Sequence, residues 1–455
     1  MPLPMSKTDK QTDFERLLPR LMDYAKAAGA EAADALIYES VSASVSVRLG
    51  KVEDVERSEG RDLGLRVLIG KRQASVSTTD FSDDSLKQTA ERCVAMAKAA
   101  PEDPFCGLAP KERLYKGPEI DLEMFDGAEP SADEMRERAL ICEQTALDVA
   151  GVTNSSGASC SYGSGRSYFV TSDGFLGKNE GGSHSLSVSV LAGEGTAMER
   201  DYDYDSKTFL TDLKSPEEIG RHAGERAVRR LNPQKMASRT APVLFEQRLA
   251  ASLLGSLAGA VNGAAIARGV SFLKDKLGAQ IFRDNITISD DPRRKRGFGS
   301  QIFDGEGVES LPFHLIHKGV LTQWFLNSAQ SRQLGLETNG RATRGTGGPG
   351  GSGSTNLTLE PGVHSLEDLL AMAQNGLYLT DMFGPQVNPN TGDYSVGCAG
   401  FEIKGGEIAG PVSEITIAGN LMEMYGNLIP GNDLVIRGSV NAPSLLIESM
   451  TIAGS

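Results

Sequence analysis

The sequence predicts an α+β protein with more than one domain. We expect mixed α/β layers in the N-terminal part and, in the C-terminal part, an antiparallel sheet with a buried central glycine-rich helix. The chain has 455 residues, more than the roughly 250 to 300 at which a single hydrophobic core stops growing. Helical and strand patterns follow one another without βαβ order, and a Lys-Gly or Gly-Lys turn between strands recurs at 49–54, 317–322 and 403–410. Such turns are typical of antiparallel hairpins.

Three domains are predicted, over residues 1–125, 126–235 and 236–455. In the first, a helix ends at Gly29, alternating apolar residues over 41–49 and the segments 63–70 and 73–81 predict strands, and a helix begins near Ser82. In the second, a proline-rich linker leads to a helix that starts with a capping box, Ser131 and Glu134. The segments 167–179 and 184–192 read as strands, and Ser215 and the proline after it start another helix. In the third, a helical stretch from 249 to about 275 precedes strands and glycine-rich turns.

Composition and charge exclude several classes of protein. The formal net charge is -14, which disfavours direct nucleic-acid binding because phosphate backbones are repelled. Five scattered cysteines without a CxxC pair indicate free thiols in a reducing compartment. The N-terminus lacks an apolar stretch of signal-peptide length, so we expect a cytoplasmic protein.

Four local motifs resemble functional sites, but none of them is a good match to the site it resembles. GTGGPG at 345–350 matches a dinucleotide fingerprint, but polar residues flank it where a strand and a helix are required, so a loop over a cavity is the better interpretation. The acidic run 201–205 begins like a calcium loop but has Ser206 in place of the required glycine, which favours a half-exposed strand or loop. His314 and His317 would point to opposite faces of a strand. Asp304 and Glu306 resemble a turn more than an acid/base pair.

The uncharged run at 249–267 contains only six large apolar residues among Ala, Gly, Ser and Asn. A membrane helix needs about 20 predominantly apolar residues, so this composition disfavours a bilayer span. Leucines at every fourth position predict a core-facing stripe, and Gly255, Gly259 and Gly263 form a second stripe on which another backbone could pack closely. Because each glycine costs ~1 kcal/mol in a helix, we predict a buried helix clasped by another element.

Over nearly its whole length the chain resembles the TldD/PmbA family, and within it the PmbA (TldE) branch. The resemblance rests on long, ordered segments. They include GLRVLIGKRQASVSTTDFS (64–82), SFLKDKLGAQIF (271–282), FDGEGV (303–308), HKGVLTQWFLNSAQSRQLGL (317–336), STNLTLEPG (354–362), TGDYSVGCAGFEIKGGEIAGPVSEITIAGN (391–420) and SMTIAG (449–454).

The resemblance implies a zinc-dependent peptidase complex of TldD with TldE that encloses a peptide cavity. In the TldD branch, a His-Glu-x-x-x-His motif and a C-terminal cysteine hold the zinc, which activates water. Here Ala250, Ala251 and Gly255 stand at the motif positions. Asn441 or Ala442 stands near the place of the cysteine, for which Cys398 lies too far upstream. The resemblance therefore implies no catalytic residue, metal site or cofactor in this chain, and a zinc ion in its TldD partner.

The favoured hypothesis is a non-catalytic subunit that binds a TldD homologue, as a heterodimer or larger assembly, and contributes peptide-binding surface; the chain could also form a homodimer. Candidate peptide-binding residues are Gly350, Gly351, Thr355, Asn356, Gly397 and Cys398. An alternative is a regulatory binding protein, a modulator of DNA gyrase without a peptidase role, and another is an unrelated enzyme that uses Asp304 and Glu306.

Overall fold

The computed structural model describes residues 7–384 and 387–454. Its N-terminal half is built on one antiparallel six-stranded sheet with the order β3-β2-β1-β4-β5-β6. The strands are β1 (Ala32–Arg48), β2 (Lys51–Ile69), β3 (Arg72–Thr78), β4 (Val152–Thr171), β5 (Leu176–Ala192) and β6 (Glu199–Lys207). The helices are α1 (Lys7–Ala28), α2 (Asp83–Ala99), α3 (Ala132–Leu147) and α4 (Pro216–Arg229).

Two helix pairs cover one face of this sheet. Alternate residues of each strand point to the same face, and those of β1 are buried at both of its ends, as Ala33 to Ile37 and as Ala43 to Val47. The first group packs with α1 and α2, and the second with α3 and α4. The long β1–β4 pairing joins the segments predicted as separate domains into one sheet, and the domain division stays a prediction.

The C-terminal half contains a second sheet that closes on itself. Its order is β16-β15-β14-β7-β19-β17, and β16 also pairs with β19, so β7, β14, β15, β16 and β19 form a ring. Its strands are β7 (Arg239–Phe245), β14 (Leu377–Phe383), β15 (Asp393–Lys404), β16 (Glu407–Asn420), β17 (Leu428–Pro430) and β19 (Leu445–Ala453). The multi-domain α+β fold is therefore confirmed, although β7 and β14 run parallel.

A smaller sheet with the order β10-β9-β8-β13-β18 lies beside the ring, together with one short hairpin. The strands are β8 (Ile288–Asp290), β9 (Phe313–His317), β10 (Val320–Leu321), β11 (Ala342–Thr343), β12 (Gly351–Ser352), β13 (Leu357–Leu359) and β18 (Val440–Asn441). The helices of this half are α5 (Gln247–Ala260), α6 (Gly263–Ala267), α7 (Ser328–Leu334), α8 (Leu366–Ala373) and α9 (Leu421–Gly426).

The three predicted hairpin turns are confirmed. Arg48 pairs with Lys51, His317 with Val320, and Lys404 with Glu407, each across a two-residue turn. Both central residues have positive φ in every case, at 49–50, 318–319 and 405–406. This is the type I′ geometry that matches strand twist and favours glycine.

The central helix is shorter than the sequence predicts. Instead of continuing to about residue 275, α5 ends at Ala260, and the short α6 begins after Asn262, whose side chain accepts a hydrogen bond from the Ala264 N–H. The Gly263 N–H donates to the Phe325 carbonyl, so a contact with a distant segment replaces the next turn of the helix. In the described part of the chain, every helix is too short or too polar to cross a bilayer.

Candidate functional site

The three positions that the resemblance assigns to the metal motif do not share one environment. Ala250 is fully buried in the C-terminal core, whereas Ala251 is half-buried and Gly255 is exposed. Only Ala251 and Gly255 therefore lie toward the open side of α5. The methyl groups and bare backbone at these positions provide no ligand for zinc. Within 7–384 and 387–454, moreover, no three or more His, Cys, Asp or Glu side chains are grouped so that they could hold a metal ion. These residues do not fit a zinc ion.

The predicted glycine stripe is only partly a packing surface. A Cβ at Gly263 would come within 2.7 Å of the Phe325 carbonyl oxygen, which confirms close approach there. At Gly255 and Gly259, by contrast, a Cβ would meet no atom within 4 Å. The prediction that α5 is clasped along its glycines is thus wrong for these two, which are exposed beside the half-buried Ser252 and Ser256.

Thr355 and Asn356, proposed from the sequence as peptide contacts, lie in the interior. Thr355 is 4% exposed, and its N–H and hydroxyl both donate to the carboxylate of Asp290. Asn356 is fully buried, accepts from the Gly299 N–H and donates to the Asp291 carbonyl and the Ser300 hydroxyl. Their polar groups are already paired within the fold, so neither offers a side chain to a peptide.

The other proposed peptide contacts are also mostly packed against the rest of the protein. Cys398 is fully buried in β15, and burial raises the pKa of its thiol to about 12. A Cβ on the neighbouring Gly397 would lie 2.6 Å from the Phe383 ring. Gly350 lies against the Thr343 carbonyl, and Gly351 is exposed. Among the six candidates, only Gly351 is exposed. The 345–350 segment is a loop between β11 and β12, as predicted.

The sequence analysis missed a serine-lined surface on the N-terminal sheet. Residues that alternate with the helix-facing ones point to the opposite face, and many of them are half-buried serines. Ser44 pairs with Ser161, Ser161 with Ser185, and Ser185 with Ser206, so one row crosses four strands. The serine face comprises Ser40, Ser42, Ser44 and Ser46 of β1, Ser159 and Ser161 of β4, Ser183, Ser185 and Ser187 of β5, and Ser206 of β6. Period-two serines at 40–46 and 183–189 were the available signal.

The C-terminal half covers both ends of the serine face. At one end, the Arg248 guanidinium, at the start of α5, lies 4.7 Å from the Tyr202 ring centroid and donates to the Tyr202 carbonyl. At the other end, Arg344 donates to the carboxylate of Asp34 over 2.8 Å. Most serines between these contacts are half-buried, although Ser42 is exposed, so the two halves border a partly open cleft.

Two connected cavities open along this cleft. One, of about 500 Å³, is lined by Ser40, Ser42 and Ser183 of the sheet and by Phe298 and Ser300 of the C-terminal half. A second, of about 690 Å³, lies between the linker 115–125, the start of β5 and residues 300–303. The cavities share Met124, Asn179, Glu180 and Ser300. Because they share these lining residues, the two cavities adjoin one another, and we take them together as the candidate binding site.

Two sequence interpretations need correction. In the acidic run, Asp201, Asp203 and Asp205 are at most 3% exposed, so the strand is not half-exposed on its acidic side. Basic side chains meet their charges: Arg248 and Arg230 pair with Asp201, Arg437 with Asp203 and Lys207 with Asp205.

The histidine pair is the second correction. The rings of His314 and His317 stack, with centroids 5.1 Å apart, so they share a face. The cause is an irregular β8–β9 register, in which Ile288 pairs with Ile316 but Ser289 with His314, and this reverses the expected alternation.

Asp304 and Glu306 form a buried turn, as the sequence indicated. Asp304 accepts from the N–H groups of Glu306, Val308 and Ala342, and Glu306 accepts from the N–H and hydroxyl of Ser328. Burial, followed by the charge of Glu306, raises the pKa of Asp304 to about 7. All these contacts stay inside the protein, which argues for a structural role.

The raised pKa of Asp304 predicts an unusual pH dependence. Because the folded state holds this proton where the unfolded state has lost it, the group's contribution to stability falls from about pH 4 to about pH 7 and is level above. Replacing its charged neighbour, Glu306→Gln, should lower the pKa of Asp304, so that the fall in stability ends at a lower pH and is smaller. Urea unfolding at several pH values measures the effect. Exposed Glu337→Gln is the control, and identical profiles for the two variants would contradict the assignment.

Comparison with known proteins identifies the family. Domain 1 of the PmbA/TldA metallopeptidase family matches residues 33–97, its central domain 125–231 and its C-terminal domain 238–454. A protein named Metalloprotease PmbA from Escherichia coli O157:H7 is 39% identical over 432 residues, 94% of this chain and 93% of that protein. The chain belongs to the PmbA branch of this family. A PmbA homologue from Haemophilus influenzae is 35% identical over 98% of this chain and 97% of its own length.

Solved structures of the family share the whole fold. A protein from Bacteroides thetaiotaomicron, described as a candidate modulator of DNA gyrase, superimposes with a TM-score of 0.89 at 30% identity, covering 97% of this chain and 99% of that one. TldE from Thermococcus kodakarensis superimposes with a TM-score of 0.86 at 22% identity, over 96% of this chain and all of that one. The fold is thus that of the PmbA and TldE proteins.

Proposed function

We propose that this chain is the non-catalytic subunit of a TldD/TldE-type zinc-dependent peptidase complex. In this proposal the zinc is held by a TldD-type partner, and the present chain supplies part of the wall of a cavity for short or unfolded peptides. The observation that carries it is that Ala250, Ala251 and Gly255, which the resemblance places at the metal motif, bear no metal-binding side chain in a chain that otherwise has the family's fold.

The serine-lined cleft supports a peptide-binding role. Hydroxyl groups both donate and accept hydrogen bonds, and therefore suit the alternating N–H and C=O groups of an extended chain. Small side chains leave the sheet side of the cleft flat, and residues of both halves of the molecule line it. The exposed small-residue face of α5 adds a surface on which a partner or a peptide can pack closely.

Zinc content and peptide cleavage test the proposal. Co-expressed with its TldD-type subunit, the chain should form a complex that contains zinc and cleaves peptides, whereas the chain alone should hold far less than stoichiometric zinc and cleave nothing. Mass spectrometry of the complex, metal analysis and a peptide cleavage assay measure this. Chelator-sensitive cleavage by the isolated chain would refute it.

A matched pair of variants tests the role of the cleft. Ser183→Trp fills the serine-lined cavity and should reduce cleavage by the complex about tenfold or more without changing its zinc content. Ser395→Trp, on an exposed position of β15 outside both cavities, should leave cleavage unchanged. Equal activity of the two variants would remove the cleft from the proposal.

A further inference from the structure

We propose that the larger cavity is a specificity pocket for an apolar side chain of an extended peptide whose main chain lies on the serine face. The inference rests on the proposed function and names the substrate class more closely: peptides with an aromatic or branched aliphatic residue. Three features of the pocket carry it, namely its aromatic wall, its exposed apolar mouth and its continuity with the polar floor.

An aromatic wall forms the back of the pocket. The Phe303 ring meets Phe175 edge-on at 5.2 Å between centroids and stacks with Tyr115 at 6.5 Å. With Leu122 and Ile302, these residues form a small hydrophobic cluster of their own, separate from the main cores. Gly177 makes room for it, since a Cβ there would lie 2.3 Å from the Phe303 ring. The wall is therefore fixed by the backbone of β5.

Apolar side chains are left exposed at the mouth of the same pocket. Ile120 is 40% exposed and Leu176 is 59% exposed, and both line the cavity. Exposed large apolar residues beside a partly open aromatic cluster are typical of a binding site rather than of a finished core. A ligand side chain that entered the pocket would bury these surfaces together with its own.

The charges around the pocket largely cancel. Lys178 pairs with Glu119 at 3.3 Å, and Glu180 pairs with Arg166 at 2.6 Å. Lys116 and Asp121 add one charge of each sign. The pocket therefore favours neither a phosphate nor a strongly charged side chain, and a near-neutral rim is complementary to an uncharged peptide backbone that carries an apolar side chain.

Continuity with the serine face sets the direction of the peptide. Met124, Asn179, Glu180 and Ser300 line both cavities, so a chain with one side chain in the aromatic pocket passes directly onto Ser40, Ser42 and Ser183. There its N–H and C=O groups meet hydroxyls, while Gly163 and Gly181 keep the floor low. The aromatic pocket thus selects a side chain of the peptide, and the serine face binds the peptide backbone independently of its sequence.

Fluorescence anisotropy of the full chain with two labelled peptides tests the pocket. The peptides consist of alanine and glutamine and differ only in a central Phe or Ser. We expect the Phe peptide to bind about tenfold more tightly than the Ser peptide, as burial of one aromatic side chain predicts. The double variant Ile120→Ser/Leu176→Ser should abolish this difference. Leu336→Ser, at a similarly exposed leucine outside the cavity, should retain it.

The proposed pocket would be refuted by any of three results: equal binding of the two peptides, binding of neither, or a preference for the Phe peptide that persists in the double variant. Cleavage of both peptides by the co-expressed complex, measured in parallel, separates this result from the proposed function. Cleavage without a Phe preference in binding leaves the proposed function standing and removes the pocket. A Phe preference in binding without cleavage retains the pocket and removes the peptidase role.

Discussion

Arg341→Ala should lower the free energy of unfolding by about 3 to 5 kcal/mol, the loss typical of one partner removed from a buried ion pair. Arg341 and Asp290 both have side chains with no solvent exposure. The guanidinium also donates to the carbonyls of Asn339, Gly340 and Leu311. The variant leaves a buried carboxylate held only by Thr355 and frees several carbonyls, and urea unfolding measures the cost.

The control for this prediction is Arg283→Ala. Arg283 pairs with Glu448 at the surface, with side chains 34% and 46% exposed, and such pairs contribute about 0 to 1 kcal/mol. Comparable losses for the two variants would show that water reaches the Arg341 site or that the core rearranges around it.

Asp34→Ala should have an effect of similar size, about 3 to 5 kcal/mol, and should also loosen the contact between the two halves. Asp34 is fully buried and accepts from Arg66 of β2 at 2.6 Å and from Arg344 at 2.8 Å. Without it, two guanidinium groups stay buried with one carboxylate fewer. Urea unfolding gives the loss, and amide hydrogen exchange over 344–350 should become faster.

Asp54→Ala serves as the comparison for Asp34, because Asp54 lies on an exposed part of β2 and should change stability by less than about 0.5 kcal/mol. If Asp34→Ala destabilises the protein without faster amide hydrogen exchange at 344–350, the Asp34 carboxylate stabilises only the N-terminal sheet and does not hold the 344–350 loop against it.

Local sequence patterns correctly predicted the helices and turns that are determined by contacts between neighbouring residues. The capping box of α3 forms as Ser131 and Glu134 indicate, since both reciprocal hydrogen bonds are present. The helix predicted to begin near Ser82 is α2, which has Ser82 as its N-cap and buries Leu86 and Cys93. The two-residue turns followed from glycine's tolerance of positive φ. In each case the determining contacts lie within a few residues.

Predictions failed where a distant segment decides the conformation. The end of α5 depends on the Phe325 carbonyl, and the orientation of His314 depends on an irregular pairing with β8. Asn356 is of a residue type common in surface loops, but its side chain is buried and hydrogen-bonded to residues about 60 positions away in the sequence. The serine face was readable from period-two spacing. Its enclosure by the second half was not, because no local pattern contains that contact.

Closure of the C-terminal ring has a consequence for synthesis of the protein. Leu445 of β19 pairs with Phe245 of β7, and Thr416 of β16 pairs with Ala453 of β19. The ring therefore lacks its closing strand until the ribosome has translated about 200 residues beyond β7. Until then β7, and β16 once it has been translated, have open edges that can pair with other chains. Nascent chains of this protein should accordingly depend on chaperones until β19 emerges.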